Sequence, residues 1–192
     1  MDPGAVTRLD TVLAAIDAAN AADPGVEAGR PAALLYGERM SAELARLDPG
    51  ASEALRIAAR GQHVERWKLL RTDYPEGREG YLAWRREQGR LHAARVADMM
   101  AGSGYPEADR DRVAAMLRKE GIKRDPEVQM LEDVICFVFL KWYFAPFATK
   151  HDPEAIEKIV IKTARKMSPE GRARVLDEFD LPGPLVAAFE DA

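Results

Sequence analysis

Cysteine and histidine are scarce in this 192-residue chain, with one Cys and three His. The single Cys136 excludes an intramolecular disulfide and suits a reducing cytoplasm, which is the compartment expected. It sits in the apolar run from Val134 to Phe139, where a buried, inert thiol is expected rather than a nucleophile. So few His and Cys leave little material for a zinc or iron centre, and neither a metal nor another cofactor is called for. Long apolar runs are missing too. None approaches the roughly 20 residues needed to span a bilayer, so no membrane partner is expected. The start, Met1-Asp2-Pro3-Gly4, lacks the basic-then-apolar profile of a signal peptide. The phosphate loop GxxxxGK[ST], the dinucleotide fingerprint GxGxxG, CxxC, HExxH and the nucleophile elbow GxSxG are all absent.

Net positive charge is lacking as well, since 28 Lys/Arg face 32 Asp/Glu. A general nucleic-acid-coating protein, and DNA as a partner, are therefore not expected. The distribution is uneven. Residues 56–95 carry ten Lys/Arg against five Asp/Glu, whereas residues 1–55 carry four against nine. A local basic patch of this kind can hold a phosphate or carboxylate, and it can equally be a solvated arginine-rich helix face.

What is present is helix. Ala, Leu, Arg and Glu dominate, and apolar residues recur at helical spacing. Helices are predicted over about 5–21, from Pro31 through Leu47, from Ser52 or Gly50 toward His63, over 77–100, over 106–120 and over 126–148. Asp152-Pro153-Glu154 and Ser168-Pro169-Glu170 read as two capped helix starts. The helix over 126–148 is apolar on more than one face and is expected to be central. The tail after Pro182 is expected to be short and peripheral. With no repeat and no linker, the prediction is one all-α domain, a helical bundle.

The most chemical stretch is Arg60-Gly61-Gln62-His63-Val64-Glu65-Arg66-Trp67, which closes an apolar helical run. It offers a proton carrier, anion binders and a stacking surface. His63 and His92 fall on different predicted helices, and Glu132-Asp133 lies on a third. An imidazole beside a carboxylate is a competent general base, so His63, His92, Glu132 and Asp133 are the candidate catalytic residues. The plain alternatives are a hydrogen-bonded structural His63, a His92 in simple helix, and helix-dipole acids at 132–133. Tyr36, Arg39, Gln62, Arg66, Trp67, Arg85 and Lys119 are the candidate substrate-binding residues. Trp84 reads as core or as a stacking surface, and His151 as a surface or capping residue.

Four stretches, Tyr36-Gly37-Glu38-Arg39-Met40-Ser41, Arg60-Gly61-Gln62-His63, His92-Ala93-Ala94-Arg95 and Asp125 through Asp133, together with Lys166-Met167-Ser168-Pro169, resemble the DUF4202 family over nearly the whole chain. The layout also resembles HD-domain hydrolases, which implies an HD-like helical core. His63 falls on the paired His of the HD motif, but Val64 replaces its Asp. Tyr36-Gly37 stands where the first His would be, and Asp133 lies two residues before the final Asp. One of four usual ligands is intact, so a standard HD metal centre is not expected. The DUF4202 resemblance implies a hydrolase that removes the glutamyl ester from glutamyl-queuosine in the anticodon of aspartate tRNA. That modified tRNA is then the expected partner. Two alternatives stay open, a metal-dependent HD-type nucleotide phosphohydrolase and an inactive HD-like module that binds a ligand or RNA.

Overall fold

A computed structural model describes residues 6–192. Among them the architecture is all-α, with ten helices and a single two-residue hairpin. None of these helices is long and apolar enough to cross a membrane. The chain divides into two compact units, the first through Glu120 and the second from Gly121 to Ala192. Met1 to Gly4, and the first residue of the helix predicted over 5–21, lie outside the described residues.

The first unit contains α1 (Arg8–Asn20), β1 (Val26–Glu27), β2 (Arg30–Pro31), α2 (Ala32–Leu47), α3 (Glu53–Gly61), α4 (Gly77–Gly102) and α5 (Glu107–Leu117). Their starts follow from side-chain chemistry. Thr7 and Asp10 form a reciprocal capping box before α1, and the Ser52 hydroxyl accepts the Leu55 N–H to begin α3. Pro31 does not open α2 from inside, as its sequence position suggested, but precedes it as the last residue of β2. The break at Ala28-Gly29 is a hairpin turn, because both residues take left-handed backbone angles, φ 49° and 76°. Each helix turns its apolar stripe inward, burying Val12, Ile16, Met40, Leu44, Ile57, Val96, Met100, Val113 and Met116. Each such side chain contributes roughly 1.5–3 kcal/mol on leaving water. The Arg60 guanidinium grips the Asp17 carboxylate through two bonds of 2.6 and 2.7 Å, tying the end of α3 to α1. At Gly61 a methyl group would stand 2.6 Å from Val96, so glycine is what lets α3 end hard against α4.

The second unit contains α6 (Pro126–Val138), α7 (Phe144–Ala148), α8 (Pro153–Ala164), α9 (Pro169–Glu178) and α10 (Gly183–Glu190). Asp125, Asp152 and Ser168 cap α6, α8 and α9, each followed by proline in the first turn. The helix predicted over 126–148 is helical throughout that span, with a π-helical turn inside it at Phe139–Tyr143, beyond which Phe144 and Phe147 meet Phe139 edge-on at 6.0 Å. One expectation is corrected here. The tail after Pro182 is a helix in its own right, α10, which buries Leu185 and Phe189 and packs on α8 and α9. Cys136 is buried, its thiol 3.9 Å from the Thr163 carbonyl, as its apolar setting suggested.

Candidate functional site

The stretch from Gln62 to Leu69 leaves helical geometry directly after α3 and runs through turns and a short 3-10 segment, Arg66–Lys68. Glu65 bends it with a left-handed φ of 52°, a conformation that costs a non-glycine residue roughly 1–2 kcal/mol. Three contacts offset that cost. The buried Asn20 amide oxygen accepts the Glu65 N–H at 3.0 Å, and the Glu65 carboxylate meets Lys68 at 2.8 Å and Arg95 at 3.2 Å.

Helix α4 then pins the turn from the other side. Trp84, Gln88 and His92 are spaced four residues apart, so they form one row on the helix. The Trp84 indole N–H donates to the Leu69 carbonyl at 3.1 Å. Gln88 donates to the carbonyls of Arg66 and Leu69, both at 3.0 Å. His92 Nδ1 donates to the Val64 carbonyl at 2.8 Å. A carbonyl can only accept, so Nδ1 carries the proton and Nε2 of the neutral ring is a bare lone pair. That Nε2 is buried and has no hydrogen-bond partner among the described residues, and the same holds for Gln62 Oε1.

His63 sits at the centre of this framework. Its ring stacks on Tyr36 of α2, with centroids 3.9 Å apart and planes 16° from parallel. The His92 ring centroid is 6.1 Å away. Cations surround the pair. Arg66 lies over the Trp84 ring at 4.6 Å, and Arg85 approaches the Tyr81 ring at 5.8 Å. Burial, followed by Arg66, His92, Lys119 and Arg85, holds the His63 pKa well below its ordinary 6.5. Burial and then Arg66 push His92 down to about 4, against the opposing pull of the Val64 carbonyl. Burial lowers Arg66 as well. Both imidazoles are therefore neutral near pH 7, inside a field set by Arg66, Arg85 and Lys119. That field favours an anion, and an anion bound there would raise the His63 pKa.

The residues singled out in the sequence distribute unevenly over this geometry. Tyr36, His63, His92, Arg66, Arg85 and Lys119 act on one another. Gln62 adjoins them with its buried acceptor. Trp67 lies half-buried on the same turn, but Trp84 is the ring that Arg66 covers. Arg39 pairs with Glu27 of the hairpin. Glu132 and Asp133 belong to the second unit and have partners there. Glu132 stands 3.8 Å from Lys166, and Asp133 accepts the Ser168 N–H at 2.8 Å, the Ser168 hydroxyl at 2.5 Å and the Gln129 amide at 3.0 Å. Asn20 and Gln88 were not singled out. Their signal was an uncharged amide on an apolar helix face, which marks a buried hydrogen-bonder without saying what it holds.

Among the described residues, no three His, Cys, Asp or Glu side chains converge in a way that could hold a metal ion. Fold and site together define an all-α protein with a cation-ringed pair of neutral imidazoles. The chain belongs to the DUF4202 family, whose model, described as a domain of unknown function, matches residues 10–188. No curated protein and no solved structure matches the chain.

Proposed function

We propose that this protein is a hydrolase of an ester on a modified tRNA nucleoside, releasing glutamate from glutamyl-queuosine of aspartate tRNA. The observation that supports this reading is the neutral His63, stacked on Tyr36 and ringed by Arg66, Arg85 and Lys119. Ester hydrolysis needs a base for water and positive charge for the oxyanion. His63 takes a proton from water as the water oxygen attacks the ester carbonyl carbon. Arg66, Arg85 and Lys119 supply charge for the tetrahedral oxyanion and for the carboxylates of the glutamyl group. When the intermediate collapses, the ester C–O bond breaks and the His63 proton passes to the departing nucleoside oxygen. Glutamate and queuosine are the products, and no co-reactant other than water enters.

The test is glutamate release from glutamyl-queuosine tRNA, read by mass spectrometry of the digested nucleosides. The expected result is turnover by the native chain and a loss of about a hundredfold or more in His63→Ala. An unchanged nucleoside with the native chain, or equal rates with the variant, would overturn the proposal. One observation favours a second reading, a binding module without turnover. No carboxylate hydrogen-bonds His63 among the described residues, so the partner that commonly orients a catalytic imidazole is missing. That reading predicts salt-sensitive RNA binding with no glutamate released.

A further inference from the structure

The second unit carries its own cleft, apart from any residue of the His63 cluster. It is lined by Lys123, Arg124, Asp125, Gln129, Ser168 and Arg172, with Met167 and two prolines, and encloses about 390 Å³. That volume suits a ligand of nucleotide size.

Its charge is lopsided, with three cations facing one carboxylate. Lys123, Arg124 and Arg172 make no ion pair with an acidic side chain among the described residues. Elsewhere on this chain arginines commonly find carboxylates, as Arg60 does with Asp17 and Arg30 with Glu38. The Asp125 carboxylate is turned to the backbone, accepting the N–H groups of Glu127 and Val128, and the Ser168 hydroxyl accepts the Gly171 N–H. The helix starts that border the cleft are thus already capped, and its attraction for anions rests on the three side chains. The floor is fixed from beneath. Gln129 and Ser168 both bond to the buried Asp133, and Gln129 also donates to the Lys166 carbonyl at 2.9 Å. At Lys123 the backbone turns left-handed, φ 66°, and its N–H is held by the Gln129 side chain at 3.2 Å. The loop that presents Lys123 and Arg124 is therefore tied to the same floor.

We propose that this cleft is a binding site for a terminal phosphate on a nucleotide-sized ligand. Net charge of two positive units in the lining matches a phosphomonoester dianion better than a single carboxylate or a backbone diester. Pro126 and Pro169, both exposed, give apolar surface against which a sugar or base can pack. Two sources share this chemistry, a free nucleoside monophosphate and the phosphorylated end of an RNA chain.

Calorimetric titration of the full chain tests the site and does not depend on glutamate release, so this proposal and the hydrolase proposal can fail separately. The probes are adenosine monophosphate, a 5′-phosphorylated tetranucleotide and the same tetranucleotide with a 5′-hydroxyl. Binding is expected for the two phosphomonoesters and not for the third, weakening as salt is raised. Whichever of the two binds more tightly identifies the source. The double variant Lys123→Ala/Arg124→Ala changes exposed side chains only and should weaken binding by about tenfold or more. Arg172→Ala should do the same, with its fold checked by circular dichroism. Absence of binding by both phosphomonoesters, equal binding of the 5′-hydroxyl probe, or undiminished affinity in the exposed double variant would overturn the site.

Discussion

The two units bury ionisable groups in opposite ways. Asp133 in the second unit is 4% exposed and accepts three hydrogen bonds that tie α6 to the start of α9. His92 in the first is also 4% exposed, but it spends one nitrogen on a backbone carbonyl and leaves the other without a partner among the described residues. A buried polar atom without a partner forfeits about 1–3 kcal/mol, and a fold built only for stability tends to avoid it. The fully bonded carboxylate thus reads as architecture, and the half-bonded imidazole as capacity held open. Mutation and titration separate the two roles.

Removing Asp133 should have the largest effect. Asp133→Ala strands the Ser168 N–H, removes the acceptor of the Ser168 hydroxyl and leaves the Gln129 amide only its bond to the Lys166 carbonyl, and should lower stability by about 3–4 kcal/mol in chemical denaturation. Gly171 belongs to the same device. A methyl group there would lie 2.9 Å from the Asp133 carboxylate, so Gly171→Ala should cost about 1–3 kcal/mol. Neutral outcomes would erase the distinction between the units.

The next effect is a pH dependence. His92 titrates at about 4 when folded, against an ordinary 6.5. Between those values the unfolded chain binds more protons than the native one. Its contribution to stability is therefore complete above pH 6.5 and is lost as pH falls toward 4, by about 3 kcal/mol in all. Asp133 works in the reverse sense. Burial, opposed by the bonds from Ser168 and Gln129, raises its pKa, so ionising it costs native stability as pH climbs above the ordinary 3.8. Denaturation of the native chain and of His92→Gln across pH 4–7 isolates the histidine part. Identical slopes in the two proteins would show that His92 is not buried neutral.

A smaller loss tests the row on α4. Gln88→Ala should destabilise the chain by about 1–2 kcal/mol, because the Arg66 carbonyl keeps only the long 3.4 Å bond from the Leu69 N–H while Trp84 still serves Leu69. Amide exchange in residues 64–69 should accelerate in the variant. Unchanged protection would mean that α4 does not hold the turn.

Much of this was legible in the chain itself, for local reasons. Asp125-Pro126, Asp152-Pro153 and Ser168-Pro169 announce helix starts because cap and first turn are neighbours in sequence, and all three are caps in the structure. The π turn at Phe139–Tyr143 was hidden, since an apolar run looks the same whether or not its hydrogen bonds shift register. The tail helix was hidden because Pro182, Gly183 and Pro184 mask eight residues whose stability comes from packing on α8 and α9. Within the candidate site, the His63 stretch was conspicuous for its polarity after an apolar run. Its stacking on Tyr36 was not, because that contact joins α2 to the turn after α3 across 27 positions of chain. The tie from Asp133 to Ser168 spans 35 residues and left no local trace either.

The smallest predicted effect bears most directly on the imidazole pair. Burial is the first cause of the low His63 pKa and Arg66 the second. Arg66→Gln keeps a polar side chain at this position and removes the guanidinium charge that lies over Trp84. His63 should then titrate higher than in the native chain while staying below 6.5, as followed by the ring proton shifts in NMR. Lys119→Gln and Arg85→Gln should move it in the same direction by less. Added phosphate or glutamate should raise it too, because an anion among these cations favours the imidazolium, and anion affinity should accordingly strengthen as pH falls. A His63 that stays put in Arg66→Gln, and ignores added anions, would leave the first unit with a structural histidine like any other. The contrast with the second unit would then reduce to the difference between one buried group and another.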